Sequence, residues 1–129
     1  LNAKRLHQKY SELNALFKSY VSSFHGDGGF SFSLQDVKVL QLFDLLNKKN
    51  VKNAVEYGTR TTSLAMAYYS NTKNTKYLGL DESEKWVGLN SERLSSCLGG
   101  MENAQIKNAN GVDNLGEETY FTNLDCNPT

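Results

Sequence analysis

The stretch "AVEYGTRTTSLAMAYY", residues 54–69, decides the fold. Ala54–Tyr57 reads as a short buried strand, Gly58 ends it, and Leu64, Ala65, Ala67 and Tyr68 then supply the packing face of a helix. A strand that feeds a helix through a glycine is how many nucleotide and cofactor sites begin. Working outward, "KYLGLD" (76–81) reads as a second strand closing on Asp81. Ser83 is a good N-cap for the helix in "EKWVGLNSERLSSCL" (84–98), and Gly99-Gly100 supplies its stop. "AQIKNA" (104–109) gives a third strand and "ETYFTNL" (118–124) a fourth. Strands alternating with helices predict βαβ units in an open parallel sheet with flanking helices.

Upstream, "LQDVKVLQLFDLLNKK" (34–49) carries a broad apolar face of Leu34, Val37, Leu40, Phe43 and Leu46, expected to be buried against the sheet. Ser33 followed by Asp36 resembles a capping box at its start. "HGDGG" (25–29) cannot remain helical, because three glycines in five residues lose too much backbone entropy. Before it, Leu6, Tyr10, Leu13, Phe17, Tyr20 and Phe24 recur at alternating spacings of four and three, one stripe on a single helix of about six turns. This helix is expected to dock on its own domain; a cover over a substrate pocket and a dimer contact are the alternatives. The predicted organisation is an N-terminal amphipathic helix and glycine-rich loop over 1–32, followed by an α/β domain over 33–129.

The chain has 129 residues, enough for one modest core. Fourteen basic side chains balance fourteen acidic ones, so no net field draws it to nucleic acid or anionic lipid. Cys97 and Cys126 form no CxxC pair, and with His7 and His25 they match no metal-ligand spacing; no metal is expected, and a reduced, cytoplasmic setting is. No stretch approaches the roughly 20 apolar residues that span a bilayer.

In an open parallel sheet, ligands sit beyond the carboxyl ends of the strands, where Gly58 stands. The helix that follows points its amide dipole into the same space. Glu56 lies near the tip of the first strand, and Asp81 closes the next. Two carboxylates there suit a ligand with an ammonium group and a ribose diol. The dinucleotide fingerprint GxGxxG fails: read from Gly58, its second and third glycine positions hold Arg60 and Ser63. No Gly-Lys-Ser/Thr follows, so the P-loop pattern fails too. A ligand without pyrophosphate tolerates these substitutions better.

These residues carry a resemblance. "VKNAVEYGTRTTSLAMAYYS" and "KYLGLDESEKWVGLNSERL", with the helix before them, resemble the first half of a class I S-adenosylmethionine-dependent methyltransferase. Glu56, Tyr57 and Gly58 match the start of that family's strand-one motif, an acidic residue, any residue, then GxGxG; Arg60 and Thr62 replace its later glycines. The resemblance covers residues 34 to about 110 and implies a Rossmann-like sheet, an S-adenosylmethionine cofactor and a methyl acceptor. It would give Glu56 and the Gly58 backbone the methionine part, with Thr59 and Arg60 completing the loop and Arg60 a partner for the methionine carboxylate. Asp81 would hold the ribose, flanked by Glu82, and Asn110 would stand at the adenine end of the third strand. Trp86 reads as packing rather than an adenine-stacking ring, and no catalytic residue is assigned. "NPT" (127–129) is reminiscent of an amino-methyltransferase motif but reads more plainly as a turn.

The family's sheet has seven strands and this sequence supplies about four. The expectation is therefore an incomplete methyltransferase-like sheet: the amino-terminal part of a longer protein, a form lacking later segments, or a homodimer that covers the sheet. Two rival functions stand beside the methyltransferase. One is a non-catalytic interaction module using the helix at residues 4–24; the other is a nucleotide-binding Rossmann oxidoreductase domain.

Overall fold

Parallel pairing of three short strands organises the described residues. The computed structural model describes residues 3–24 and 35–109. Its elements are α1 (Ala3–Lys9), α2 (Ser11–Ser23), α3 (Gln35–Lys49), β1 (Asn53–Tyr57), α4 (Thr62–Lys73), β2 (Lys76–Asp81), α5 (Glu84–Leu98) and β3 (Ala104–Asn108). The sheet order is β1-β2-β3 with both pairings parallel, each strand joined to the next by a helix. This is a small open α/β sheet flanked by helices and preceded by a helical region. The fourth strand, the Ser33 box, the "HGDGG" loop, Asn110, Cys126 and the "NPT" turn lie outside the described residues.

β2 is central and shows why its sequence is apolar almost throughout. Tyr77 to Leu80 are all buried, as expected of a parallel strand covered on both faces. Alternation sends Tyr77 into the main core with Ala104 and Ile106 of β3, while Leu78 and Leu80 join Val55 and Ala109 in a smaller cluster on the opposite face.

Two expectations are corrected. The first concerns the single six-turn helix, which is two helices meeting at Tyr10 (φ −118°, ψ 50°). The break is stabilised from α3. Tyr10 donates its hydroxyl to Asp44, its ring meets Phe43 edge-on at 5.0 Å, and Lys9 and Lys48 approach the same carboxylate at 3.3 and 2.9 Å. Hydrogen bonds from Tyr10 and Lys48 hold the Asp44 carboxyl well below the usual range. The stripe itself is buried at Leu6, Leu13, Phe17, Tyr20 and Phe24, in one core with the α/β elements, so the helical region docks on its own domain. The second correction concerns α3. Its closest neighbours are α4 and the two N-terminal helices rather than the strands, with Phe43 against the rings of Tyr68 and Tyr69 at 5.2 and 6.0 Å.

Helix ends follow local chemistry. Asn74 (φ 55°) and Gly99 (φ 75°) close α4 and α5 in the left-handed region, the conformation that satisfies the last carbonyls of a helix. Ser83 caps α5 by accepting the Trp86 amide at 3.1 Å. Ser83→Ala is expected to lower unfolding free energy by about 1 kcal/mol, read as a shifted urea midpoint at unchanged slope.

Candidate functional site

The register of β1 and β2 brings the candidate residues to one end of the sheet. Glu56 lies opposite Gly79 and Tyr57 opposite Leu80. The Gly58 amide then extends the ladder by donating to the Leu80 carbonyl at 2.7 Å. Gly58 takes a φ of 83°, and a Cβ placed on it would meet no heavy atom of the described residues within 4 Å. Side chains disfavour that conformation, so glycine suits the position. Among the described residues the turn therefore has open space at its side. Glu56 and Asp81 share a face, two residues out of register. Strand spacing and rise place their Cα atoms about 8 Å apart.

Between the two carboxylates the chain inserts its own groups. Thr59 is fully buried and sits over Gly79. Its amide and hydroxyl donate to Asp81 Oδ2 at 3.0 and 3.3 Å, while Asp81 Oδ1 accepts the Ser83 amide at 3.1 Å. Burial pushes the Asp81 carboxyl up, but the Thr59 and Ser83 amides, the Thr59 hydroxyl and the Arg60 charge outweigh it and hold the group below its ordinary value. Asp81 is an ionised carboxylate that fastens the loop after β1 to the start of α5. A carboxylate has about four acceptor positions, so Oδ1 keeps capacity for one more donor. Glu82 follows it, exposed.

Glu56 has a different environment. Its carboxylate accepts hydroxyl protons from Thr62 at 2.5 Å, Ser63 at 2.7 Å and Tyr77 at 2.7 Å. It thus organises the first turn of α4 from below. Burial, and next the Glu56 charge, push the Tyr77 hydroxyl far above its usual value, so it remains a donor. The start of α4 is also partly closed to a ligand. The Ser63 and Leu64 amides bond the Arg60 and Thr61 carbonyls at 3.0 and 3.1 Å, a three-residue spacing that tightens the turn. Arg60 itself is exposed.

The loop is further held from outside the sheet. Trp86 donates its indole N–H to the Thr59 carbonyl, and its ring lies against Phe24, centroids 5.5 Å apart. Trp86 packs, as the sequence reading has it, and also supplies a hydrogen bond that the reading lacked. Asn108, at the tip of β3, donates to the Glu82 carbonyl at 3.1 Å. It is the register partner of Asp81; Asn110, expected at the adenine end of this strand, lies outside the described residues. The signals for these partners were slight: a mid-strand glycine at 79 marks a close approach, and a lone tryptophan at 86 marks a polar handle.

Among the described residues, no group of three or more His, Cys, Asp or Glu is placed to hold a metal, and no helix is long and apolar enough to cross a membrane. A cavity of about 240 Å³ lined by Asn71, Asn74, Glu102 and Asn103 lies at the amino end of the strands, away from Gly58. No family model, curated protein or solved structure matches this chain.

Proposed function

We propose that the carboxyl end of this sheet binds S-adenosylmethionine and that the chain is the cofactor-binding part of a methyltransferase. The observation that carries this reading is the β1–β2 register, which sets the open Gly58 turn beside the ionised Asp81 carboxylate. A strand order of β1-β2-β3 in parallel, with helical crossovers, is also half of the Rossmann-like arrangement, whose ligands lie at this end. On this reading Gly58 admits the ligand to the backbone, Asp81 Oδ1 accepts one ribose hydroxyl, and Glu82 is at hand for the other. Glu56 acts at one remove, fixing the start of α4 through Thr62, Ser63 and Tyr77. Arg60, exposed two residues after Gly58, would pair with the methionine carboxylate. The cofactor would supply an electrophilic methyl group on sulfur; the chain supplies position, and the acceptor is unassigned.

The site's details weigh against the dinucleotide alternative. A pyrophosphate needs backbone amides to approach, yet the Thr59, Ser63 and Leu64 amides are already bonded within the chain. The interaction-module alternative loses the contact surface suggested for it, because the stripe over residues 4–24 is buried in the domain's own core.

The test is titration with S-adenosylmethionine, its demethylated product and a reduced nicotinamide dinucleotide, read by calorimetry and by Trp86, the one tryptophan of the chain. Sub-millimolar dissociation constants for the first two ligands alone are expected. Binding of the nicotinamide alone, or of none of the three, refutes the proposal.

A further inference from the structure

The loop between β1 and α4 is gripped through its carbonyls by side chains that belong to other elements. The Thr59 carbonyl accepts from Trp86 of α5. The Arg60 carbonyl lies 3.5 Å from the Tyr20 hydroxyl of α2. Phe24, at the end of α2, touches both of these aromatics: its ring is T-shaped on Tyr20 at 4.9 Å and tilted on Trp86 at 5.5 Å. The last turn of α2, the indole of α5 and the two loop carbonyls therefore form one contiguous set. Tyr20 and Trp86 are the polar links in it.

The Tyr20 hydroxyl has one proton and two acceptors. It donates to Asn90 Oδ1 at 2.6 Å, and the Arg60 carbonyl is the longer contact. Asn90 is fully buried, and its Nδ2 has no hydrogen-bond partner among the described residues. Burying a donor without a partner is costly, because the desolvation of the N–H is not offset. Turning the amide over lets Nδ2 donate to the Tyr20 oxygen and sends the Tyr20 proton to the Arg60 carbonyl. The orphan then becomes an acceptor, which native interiors tolerate better than an orphaned N–H. The network thus has two arrangements, and they differ in how firmly Arg60 is held. Burial, then the Glu56 charge, push the Tyr20 hydroxyl far up, so it keeps its proton at any working pH.

We propose that Tyr20 and Trp86, linked by Phe24, are positioning residues for the Gly58–Arg60 loop, so that the N-terminal helical region sets the affinity of the ligand site. The control of affinity rests on the reading of function above; the hold on the loop does not. A structural consequence follows without any ligand. Loosening either link should free the loop while leaving the strands as they are.

The experiment uses the full chain and three variants: Tyr20→Phe and Trp86→Phe, which keep a ring and lose a donor, and Phe17→Leu, which trims a buried α2 ring that has no side-chain donor to lose. Amide hydrogen exchange over residues 58–64 is expected to quicken about fivefold in the first two, the equivalent of one hydrogen bond of about 1 kcal/mol. It should stay at the wild-type rate in Phe17→Leu, as should Leu78–Leu80 in all three. S-adenosylmethionine should bind the two donor variants about fivefold more weakly and slow exchange at residues 20–24 of the wild type. Equal loop exchange in all four proteins overturns the proposal, as does ligand binding that leaves residues 20–24 unchanged. Faster loop exchange with no ligand bound by any of them supports the hold on the loop and removes only the proposed occupant.

Discussion

Gly79→Ala is expected to lower the unfolding free energy by about 3 kcal/mol, the sum of an overpacked core and a disturbed hydrogen bond to a carboxylate. Gly79 lies mid-strand in β2 on the face that carries the site. A Cβ there would stand 2.5 Å from the Tyr77 hydroxyl oxygen, 2.7 Å from Thr59 Cγ2 and 3.2 Å from Tyr77 Cζ. Neither neighbour yields easily. Tyr77 is 1% exposed and donates to Glu56, so moving its ring breaks the support under α4. Thr59 is fully buried and is fixed at its amide and hydroxyl by Asp81. The alternative is to shift β2, which is paired on both sides. Urea unfolding checks the magnitude through a lowered midpoint at unchanged slope. The cause is checked by repeating the substitution in a Tyr77→Phe background. With the hydroxyl gone, Gly79→Ala should cost at least about 1 kcal/mol less, the coupling expected of groups in contact. An unchanged cost would place the conflict elsewhere.

The same glycine shows how far the letters reach. "KYLGLD" announces a buried strand, and its bounds coincide with β2; "AVEYG" announces β1 and the turn, although β1 is half-buried rather than buried and its Tyr57 is exposed. These were legible because apolar runs, a glycine stop and the Ser83 cap are local signals. The parallel order followed from alternation of strands and helices. What stayed hidden were the partners that depend on register. Nothing local says that Thr59 will fold over Gly79, that Tyr77 will reach Glu56, or that three hydroxyls will surround that carboxylate before any ammonium group does. The break at Tyr10 was hidden for a related reason. A stripe at spacings of three and four is equally consistent with one helix or two, and Asp44, 34 residues away, supplies the contact that stabilises the bend. The neighbours of α3 were misjudged because an apolar face states that it is buried but not against what.

Asp81→Ala is expected to weaken S-adenosylmethionine binding about 10- to 100-fold, since the ligand loses one charge-assisted hydrogen bond of about 1.5–3 kcal/mol. It should also lower stability by about 2 kcal/mol, because the Thr59 and Ser83 amides lose their acceptor. The two effects are separable. Thr59→Val removes only the long hydroxyl contact to Asp81 and leaves the amide bond in place. It should leave ligand affinity within about threefold while costing about 1 kcal/mol or less in stability. The charge adds a pH signature whose sign is fixed by the direction of the shift. The Asp81 carboxyl is held below its unfolded value. Its contribution to stability is therefore complete above the ordinary Asp value of about 3.9 and fades as pH falls through the folded one. Wild-type protein should accordingly lose stability below about pH 4 more steeply than Asp81→Asn. Between about pH 5 and 8 the carboxylate stays ionised, and ligand affinity should be flat. If Asp81→Ala folds and still binds the cofactor at wild-type strength, the acid is a structural fastening alone. The carboxyl end of the sheet would then lose its claim to the ribose, because Glu56, the other strand carboxylate beside the Gly58 turn, is already taken up by Thr62, Ser63 and Tyr77.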